Sequence, residues 1–209
     1  FQPRSTPPEP PVLLIAHLRA GERAPEGAAA LLVEGTGQAT DELAPPPGGT
    51  PWGVSLETAS PEQVSRLKER GCDFLLLASL DSPAAALDTD MGRLLMVAPS
   101  LADSELRALG NIADAAVVDL TADAFSIRCL MGCHRLAGLL GKPLLAMVSP
   151  EVGGTEVRQL AGAGVRGLIS RASQDRFLEW HKELVSHPAL KTPTAVVLPA
   201  PPPPREETE

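Results

Sequence analysis

Acidic side chains stand at the ends of three short apolar segments in this 209-residue chain: Glu34, Glu57 and Asp119. Carboxylate oxygens are the ligands that hard divalent cations prefer, and a carboxyl group whose pKa is raised by burial can donate or accept a proton. If the segments are strands of one parallel sheet, we expect the three carboxylates to share an edge and bind Mg²⁺. Glu57 and Asp119 would also serve as acid and base. The alternative is that each is a solvated loop residue or a helix cap.

A second candidate site combines backbone amides with a guanidinium group. Gly153, Gly154 and Thr155 stand at the start of a predicted helix, whose first N–H groups attract anions. Arg171 follows the next apolar segment, and we expect its guanidinium to face the same oxyanion. The sequence thus predicts a weak site for a small anionic ligand. The alternative is that the glycines only make the start of the helix more flexible and that Arg171 is a surface arginine.

Several chemistries are excluded by residues that the sequence lacks. None of its lysines follows an apolar segment directly, so a Schiff-base aldolase has no nucleophile. Cys129, Cys133 and His134 carry zinc-binding groups, but a structural zinc site needs a fourth ligand, and there is no second cysteine pair. Their spacing instead predicts core packing on one helix face. Gly35-Thr-Gly37 lacks the third glycine of a dinucleotide fingerprint.

Composition limits the partners and the cellular setting. The net charge is −8 and the basic residues form no cluster, which argues against nucleic-acid binding. No apolar run approaches the roughly 18 residues of a membrane span, so we expect a soluble protein without a membrane partner. Three cysteines in apolar segments are typical of reduced thiols. The sequence therefore predicts a cytoplasmic location.

Eight short apolar segments give the chain its organisation. Most begin about twenty residues apart, which leaves room after each for a loop and a short helix. Alternating strands and helices indicate a parallel sheet. We therefore predict an α/β fold, a compact (β/α)₈ barrel whose helices after strands one, two and four are short or missing. The rival is an open doubly wound sheet, which normally has weaker edge strands and a glycine-rich first turn. The segments begin at Pro11, Ala29, Pro51, Cys72, Arg93, Asp114, Lys142 and Val165.

Helix-end signals recur in two of the predicted units. Ser60 can cap a helix with Pro61 in its first position and Gln63 completing a capping box, and Gly71 ends it. Residues 155–164 repeat this plan 93 residues later. The match fits either a duplicated half-barrel or a chance likeness of two generic units.

Both ends of the chain are rich in proline and polar residues. Such segments bury too little apolar surface to offset the entropy of ordering them. We predict a linker over residues 1–11, a barrel over 12–190 and a tail over 191–209.

The first apolar segment reads Leu14-Ile-Ala-His17-Leu-Arg19-Ala-Gly21 and is followed by Ala24-Pro25-Glu26. It resembles the opening of the glycerophosphodiester phosphodiesterases, barrels that begin with a strand ending in His-Arg-Gly and continue to Pro-Glu-Asn. The resemblance implies that His17 is an acid or base and Glu26 a metal ligand. The sequence departs from this pattern because Leu18 separates His17 from Arg19 and Gly27 replaces the asparagine.

The sequence favours a small-molecule binding or interaction module with a degenerate catalytic face. Its expected partners are a small anionic ligand and a protein partner or a second copy of the chain. The alternative is a phosphodiesterase-like, divalent-metal-dependent hydrolase or lyase that acts at the carboxyl end of the barrel, with His17 as acid or base.

Overall fold

A computed structural model describes residues 12–19, 21–35, 43, 48–122 and 125–186. It shows eight parallel strands joined in chain order, and β8 pairs with β1 to close a barrel. The predicted (β/α)₈ fold is confirmed, and the open-sheet alternative is wrong because closure leaves no edge strand. The strands are β1 (Leu13–Leu18), β2 (Ala30–Glu34), β3 (Trp52–Leu56), β4 (Phe74–Leu77), β5 (Gly92–Met96), β6 (Ala115–Asp119), β7 (Leu144–Met147) and β8 (Val165–Ser170).

The barrel is filled by apolar side chains that point inward from alternate strand positions. Ile15, Leu32, Leu76, Val117 and Ile169 belong to this interior cluster, and each is less than 5% exposed. Alternate residues on the same strands face outward and join a larger cluster beneath the helices. The strands are therefore buried on both faces, which is why they read as short continuous apolar runs.

Large and small side chains alternate at the amino end of the interior. A Cβ atom added to Gly53 would lie 2.3 Å from the Phe74 ring, and one added to Gly92 would lie 3.1 Å from the Phe74 Cβ. The glycines therefore leave the space that the phenyl ring fills. This packing closes the barrel below the interior cluster, so the interior is a solid core rather than a channel.

Five α-helices cover the described barrel, and the helix-end signals act as predicted. The Ser60 hydroxyl accepts a hydrogen bond from the Gln63 amide, and the Gln63 side chain accepts one from the Ser60 amide. Gly71 has a φ of +76°, which favours glycine after a helix. The helices are α1 (Pro61–Glu69), α2 (Asp103–Ile112), α3 (Ile127–Leu140), α4 (Gly154–Gly162) and α5 (Gln174–Ser186).

Helices are missing where the sequence predicts short or absent ones. Residues 21–29 between β1 and β2 contain no helix, and neither do the described residues between β2 and β3. A one-turn 3₁₀ helix, Ala84–Leu87, is all that follows β4. The predicted linker over residues 1–11 and the tail over 191–209 lie outside the described residues. No described helix is long and apolar enough to cross a membrane.

Candidate functional site

Four chemically capable side chains come together at the carboxyl end of the barrel. His17, Glu34, Asp119 and Arg171 each stand two residues after a member of the interior cluster. Because side chains alternate along a strand, this spacing turns all four toward the barrel axis above the core. Arg171, Glu34 and Asp119 are close enough to His17 to influence its pKa electrostatically. We call this end of the barrel the mouth.

An ion pair joins the second and last strands across the mouth. The Arg171 Nη2 atom donates to the Glu34 Oε2 atom over 2.5 Å. This hydrogen bond is the main reason that the pKa of Glu34 is lowered, so the carboxylate is ionised at neutral pH. The two side chains are 33% and 43% exposed, so water reaches the pair. A ligand that enters the mouth can therefore compete for Arg171.

His17 carries a buried ring nitrogen without a partner. No described residue forms a hydrogen bond to its Nε2 atom. The pKa of His17 is lowered, first by burial and then by the positive charge of Arg171. Its imidazole is therefore mainly neutral at pH 7. A buried polar atom left unpaired costs about 1 to 3 kcal/mol, and such atoms mark strained, catalytic or solvent-bridged sites.

A cleft of about 780 Å³ opens beside His17, between the loop after β1 and the start of α5. Arg19, Arg23 and Arg171 line it, together with Glu22 and Glu26. No described residue forms an ion pair with the side chain of Arg19 or Arg23. The cleft therefore presents two guanidinium groups that can bind an anion. The anion would compete with nearby carboxylates, since the charge of Arg19 helps to lower the pKa of Glu34. We call it the mouth cleft.

The outer wall of the mouth cleft is fixed by one amide side chain. The Gln174 Oε1 atom accepts a hydrogen bond of 2.5 Å from the Glu26 amide, and the Gln174 Nε2 atom donates to the Glu26 carbonyl over 3.3 Å. The two residues are 148 positions apart in the sequence. Gln174 thereby ties the loop that carries Arg19 and Arg23 to the first turn of α5.

A smaller cavity of about 400 Å³ lies on the other side of His17. Asp119, Thr121 and Ser149 line it, and it shares Arg171 with the mouth cleft. The Asp119 Oδ1 atom accepts hydrogen bonds from the Thr121 amide and hydroxyl, at 2.9 and 2.7 Å. Asp119 therefore stabilises its own turn, caps no described helix and remains accessible to a ligand.

The predicted Mg²⁺ ligands are not assembled into a metal centre. Among the described residues, no three histidine, cysteine or acidic side chains are grouped to hold a metal ion. Glu34 is paired with Arg171, Asp119 is held by its own turn, and Glu57 is exposed on the loop after β3. Glu57 lines neither mouth cavity. The catalytic roles of His17, Glu57 and Asp119 stay predictions.

The two halves of the predicted anion site have different partners. The Gly153 amide at the start of α4 donates to the carboxylate of Glu156 over 2.7 Å. A Cβ atom added to Gly154 would lie 3.1 Å from the side chain of Glu183. Two carboxylates thus lie near the helix start and disfavour an external anion there, and Thr155 is exposed nearby. Arg171 faces Glu34 instead.

None of the three cysteines forms a disulfide. Cys133 packs in the core, and burial raises its pKa to about 12, which makes its thiol unreactive. Cys129 is partly buried beside it. This arrangement accords with the packing role expected from the helical spacing of the two residues.

Sequence reasoning missed Arg23 and Gln174. Arg23 lies in an irregular loop, where no periodicity shows which way a side chain points. Gln174 acts on a loop at the opposite end of the chain, and only barrel closure makes them neighbours. Its position four residues after the last apolar segment, near the mouth, was the one available signal.

No protein-family model matches the sequence, and no curated protein matches it. Solved structures do share its architecture. A mutant tryptophan synthase α-subunit from the hyperthermophile Pyrococcus furiosus is 12% identical, with a TM-score of 0.61, over 85% of this chain and 99% of that one. The fold is like that of this subunit. At such an identity, the likeness concerns the fold and carries no activity.

Two further solved structures have similar sequence identities and TM-scores to this chain. The tryptophan synthase complex from Pyrococcus furiosus contains a chain that is 14% identical, with a TM-score of 0.59, over 84% of this chain and 97% of that one. A protein cage designed by fusing symmetric oligomeric domains contains one that is 17% identical, with a TM-score of 0.57, over 85% of this chain and 73% of that one. Both support the same barrel architecture.

Proposed function

We propose that this chain is a binding module that holds a small anionic molecule in the mouth cleft. The observation that carries the proposal is a pair of guanidinium groups, Arg19 and Arg23, beside the Nε2 atom of His17. Among the described residues, neither guanidinium group forms an ion pair and the Nε2 atom has no hydrogen-bond partner. A carboxylate or phosphate group accepts hydrogen bonds from guanidinium groups. A second polar group on the same molecule would satisfy His17. Binding therefore pairs the guanidinium groups and satisfies the buried nitrogen of His17.

Binding without turnover accounts best for the rest of the mouth. Catalysis of hydrolysis needs an activated nucleophile or a metal-bound water. The described residues supply no three-ligand metal group, and their cysteine thiols line neither mouth cavity. A neutral His17 and an Arg171 that is paired with Glu34 can orient a ligand, but by themselves they do not break a bond in it. We therefore propose a degenerate catalytic face.

Thermal unfolding against inorganic phosphate, citrate and glycerol phosphate tests the proposal. We expect at least one anion to raise the melting temperature by several degrees at saturation, since a ligand that binds only the folded state stabilises it. Arg19→Ala combined with Arg23→Ala should weaken binding about ten-fold or more, because each charge-assisted contact is worth about 1.5 to 3 kcal/mol. Arg107→Ala, an exposed arginine on α2, is the matched control. Absence of any shift, or equal effects of both variants, would contradict the proposal.

The phosphodiesterase-like hydrolase or lyase is distinguished by a Mg²⁺ arm of the same experiment. It requires Glu34, Glu57 and Asp119 to bind the ion, or Glu26 to do so as the resemblance implies. A melting-temperature increase with Mg²⁺ that Glu34→Gln and Asp119→Asn abolish would favour it over anion binding alone. Release of product from a phosphodiester substrate would then decide between binding and catalysis.

A role in protein interaction is favoured by the outer face of α3. Ile127 and Met131 lie one helical turn apart and are 77% and 67% exposed. The Pyrococcus furiosus tryptophan synthase is described as an α2β2 complex. We include a protein partner or a second copy of this chain in the proposal. Light scattering of wild type and Met131→Lys tests self-association, since a charge on this face would dissociate a dimer built on it.

A reducing, cytoplasmic setting belongs to the same proposal. It is supported by Cys72, Cys129 and Cys133, which form no disulfide. An unchanged melting temperature with and without a thiol reductant is the expected result. A decrease on reduction would contradict this location.

A further inference from the structure

A separate apolar cavity lies on the outside of the barrel, where β4 is followed by the 3₁₀ helix Ala84–Leu87 instead of an α-helix. It has a volume of about 360 Å³ and lies between this turn and α2. A full helix at this place would cover the outer faces of β4 and β5. The short turn leaves part of that surface open. We call this cavity the flank groove.

The walls of the flank groove are almost entirely aliphatic. Leu77 and Leu95 form its floor, and Leu109 and Ile112 extend along one side of α2. Ile112 is 47% exposed and Leu80 is 50% exposed. This apolar surface is gathered in one concave site, which is the usual form of a small-molecule binding site. The volume lies within the range of roughly 300 to 1,000 Å³ for small-molecule sites.

The polar atoms of the flank groove are already hydrogen-bonded. The Ser79 hydroxyl accepts from the Asp81 amide over 3.1 Å, and the Ser82 hydroxyl donates to the Ser79 carbonyl over 3.0 Å. The Glu105 carboxylate accepts from the Ala102 amide over 2.7 Å. These groups therefore offer little to a polar ligand. The main gain on binding is burial of apolar surface, about 25 cal/mol per Å².

The charged side chains at the groove indicate which charge the ligand's headgroup carries. Glu105 is the one charged side chain among the described residues that line the groove. Asp81 is exposed beside Leu80 and Ser82, which line it. Both charges are negative. The Arg135 guanidinium donates to the Leu101 carbonyl beside the groove, but Asp103 pairs with it. The remaining negative charge repels an anionic headgroup and attracts a cationic one.

We propose that the flank groove binds the apolar chain of a small cationic amphiphile, with the headgroup near Glu105. This ligand differs in charge from that of the mouth cleft, and the two sites lie on different parts of the barrel. Binding here is therefore independent of the anion-binding proposal, and either can fail without the other.

The neutral fluorophore N-phenyl-1-naphthylamine tests the apolar part of the proposal. Its fluorescence should rise on binding to the purified full-length chain and fall when dodecyltrimethylammonium below its micelle concentration displaces it. Ala108→Trp places a large ring in the groove from α2 and should weaken binding about ten-fold, because the chain loses its buried area. Gln159→Trp, at an exposed position on α4, is the matched control and should bind normally. Leu80→Arg is a second blocking variant if Ala108→Trp unfolds the protein.

Competition between headgroups tests the role of Glu105. Dodecyltrimethylammonium should displace the fluorophore at lower concentration than dodecanoate. Glu105→Gln keeps an oxygen that can accept from the Ala102 amide but removes the charge, so this preference should fall about two- to five-fold.

Three results would overturn the proposal. They are no fluorescence increase, equal binding to the blocked and control variants, and stronger competition by dodecanoate. A dimer that Leu80→Arg converts to monomer, without fluorophore binding, would instead identify the groove as a contact between copies of the chain.

Discussion

The two ends of the barrel differ in how completely their polar groups are hydrogen-bonded. At the amino end, Asp73 and Asp114 accept hydrogen bonds from the amides of Trp52 and Arg93, both at 2.9 Å. Each aspartate amide also donates to the carbonyl of the same partner, over 2.8 Å. At the carboxyl end, the Nε2 atom of His17 has no described partner. The polar groups named at the amino end are hydrogen-bonded to each other, whereas a buried nitrogen at the carboxyl end has no hydrogen-bond partner among the described residues.

This difference separates stability from function within one architecture. Paired groups at the amino end hold neighbouring strands in register and gain nothing from a ligand. Open groups at the mouth cost stability until a ligand satisfies them. Barrels of this kind carry their sites at the carboxyl end, where loops can vary without disturbing the strands. The packed interior between the two ends holds in place the strands that carry both sets of groups.

The largest effect is expected from the interior that the two ends share. Leu76 is fully buried at the centre of the barrel. Leu76→Ala should lower the free energy of unfolding by about 2 to 5 kcal/mol, because it removes buried methyl groups and leaves a cavity. Urea unfolding measures the change. Leu80→Ala, at a half-exposed leucine, is the control, and a loss below about 1 kcal/mol at Leu76 would show that the interior is not tightly packed.

Substitution of His17 should have opposite effects on stability and binding. His17→Leu removes the partnerless buried nitrogen, so we expect unfolding to cost about 1 kcal/mol more and anion binding to weaken. Thermal unfolding with and without phosphate measures both. His134→Leu, at an exposed histidine on α3, should change neither. If the His17→Leu protein were less stable than wild type and bound phosphate normally, the buried nitrogen of His17 would neither lower stability nor bind the ligand. The proposed difference between the two ends of the barrel would then be wrong.

The pH dependence provides a second test at the same residue. The pKa of His17 is lowered in the folded state, so the unfolded chain takes up its proton first as the pH falls. Wild-type stability should therefore decrease as the pH falls from 6.5 toward the folded pKa. The His17→Leu protein should lack this component. Parallel curves for the two proteins would contradict the shift.

At the amino end, the Arg93–Asp114 pair should contribute stability that is lost in acid. The pair lowers the pKa of Asp114 from 3.8 to about 2. Its contribution is complete above the unfolded pKa and is lost as the pH falls from 3.8 toward 2. Because both side chains are partly exposed, we expect about 1 kcal/mol or less. Urea unfolding of wild type and Asp114→Asn between pH 5 and 3 should give curves that converge in acid.

The smallest and most local effect is expected at Gln174. Gln174→Ala removes both hydrogen bonds to the backbone of Glu26 and should release the loop after β1. We expect faster hydrogen exchange at the Glu26 amide with a change in global stability below about 1 kcal/mol. Exchange at the Trp52 amide, which Asp73 holds at the other end, should be unchanged. Uniform acceleration would indicate general destabilisation instead.

The barrel could be predicted from sequence because its determinants are local. Each strand is a short apolar run, and the ends of α1 follow from Ser60, Gln63 and Gly71. The correspondence with α4 extends further than the sequence comparison. Gly153 occupies the position of Ser60, and its amide is likewise bonded by the side chain three residues later, Glu156.

The site was harder to predict because its contacts join distant parts of the chain. Glu34 and Arg171 are 137 residues apart, and each could be identified as a mouth residue but not as the other's partner. Side-chain alternation would also place Glu57 inward. However, Glu57 is exposed and lines neither mouth cavity. No group of three such side chains among the described residues could hold a metal ion, so Mg²⁺ binding by these carboxylates stays a prediction.

The pairing of β1 with β8 has a consequence for synthesis of the protein. His17 and Arg19 leave the ribosome before Arg171 and Gln174, which follow after roughly eight to thirty seconds at 5–20 residues per second. A nascent chain therefore has no mouth cleft until its last strand has emerged. A small molecule bound there would recognise only the closed barrel.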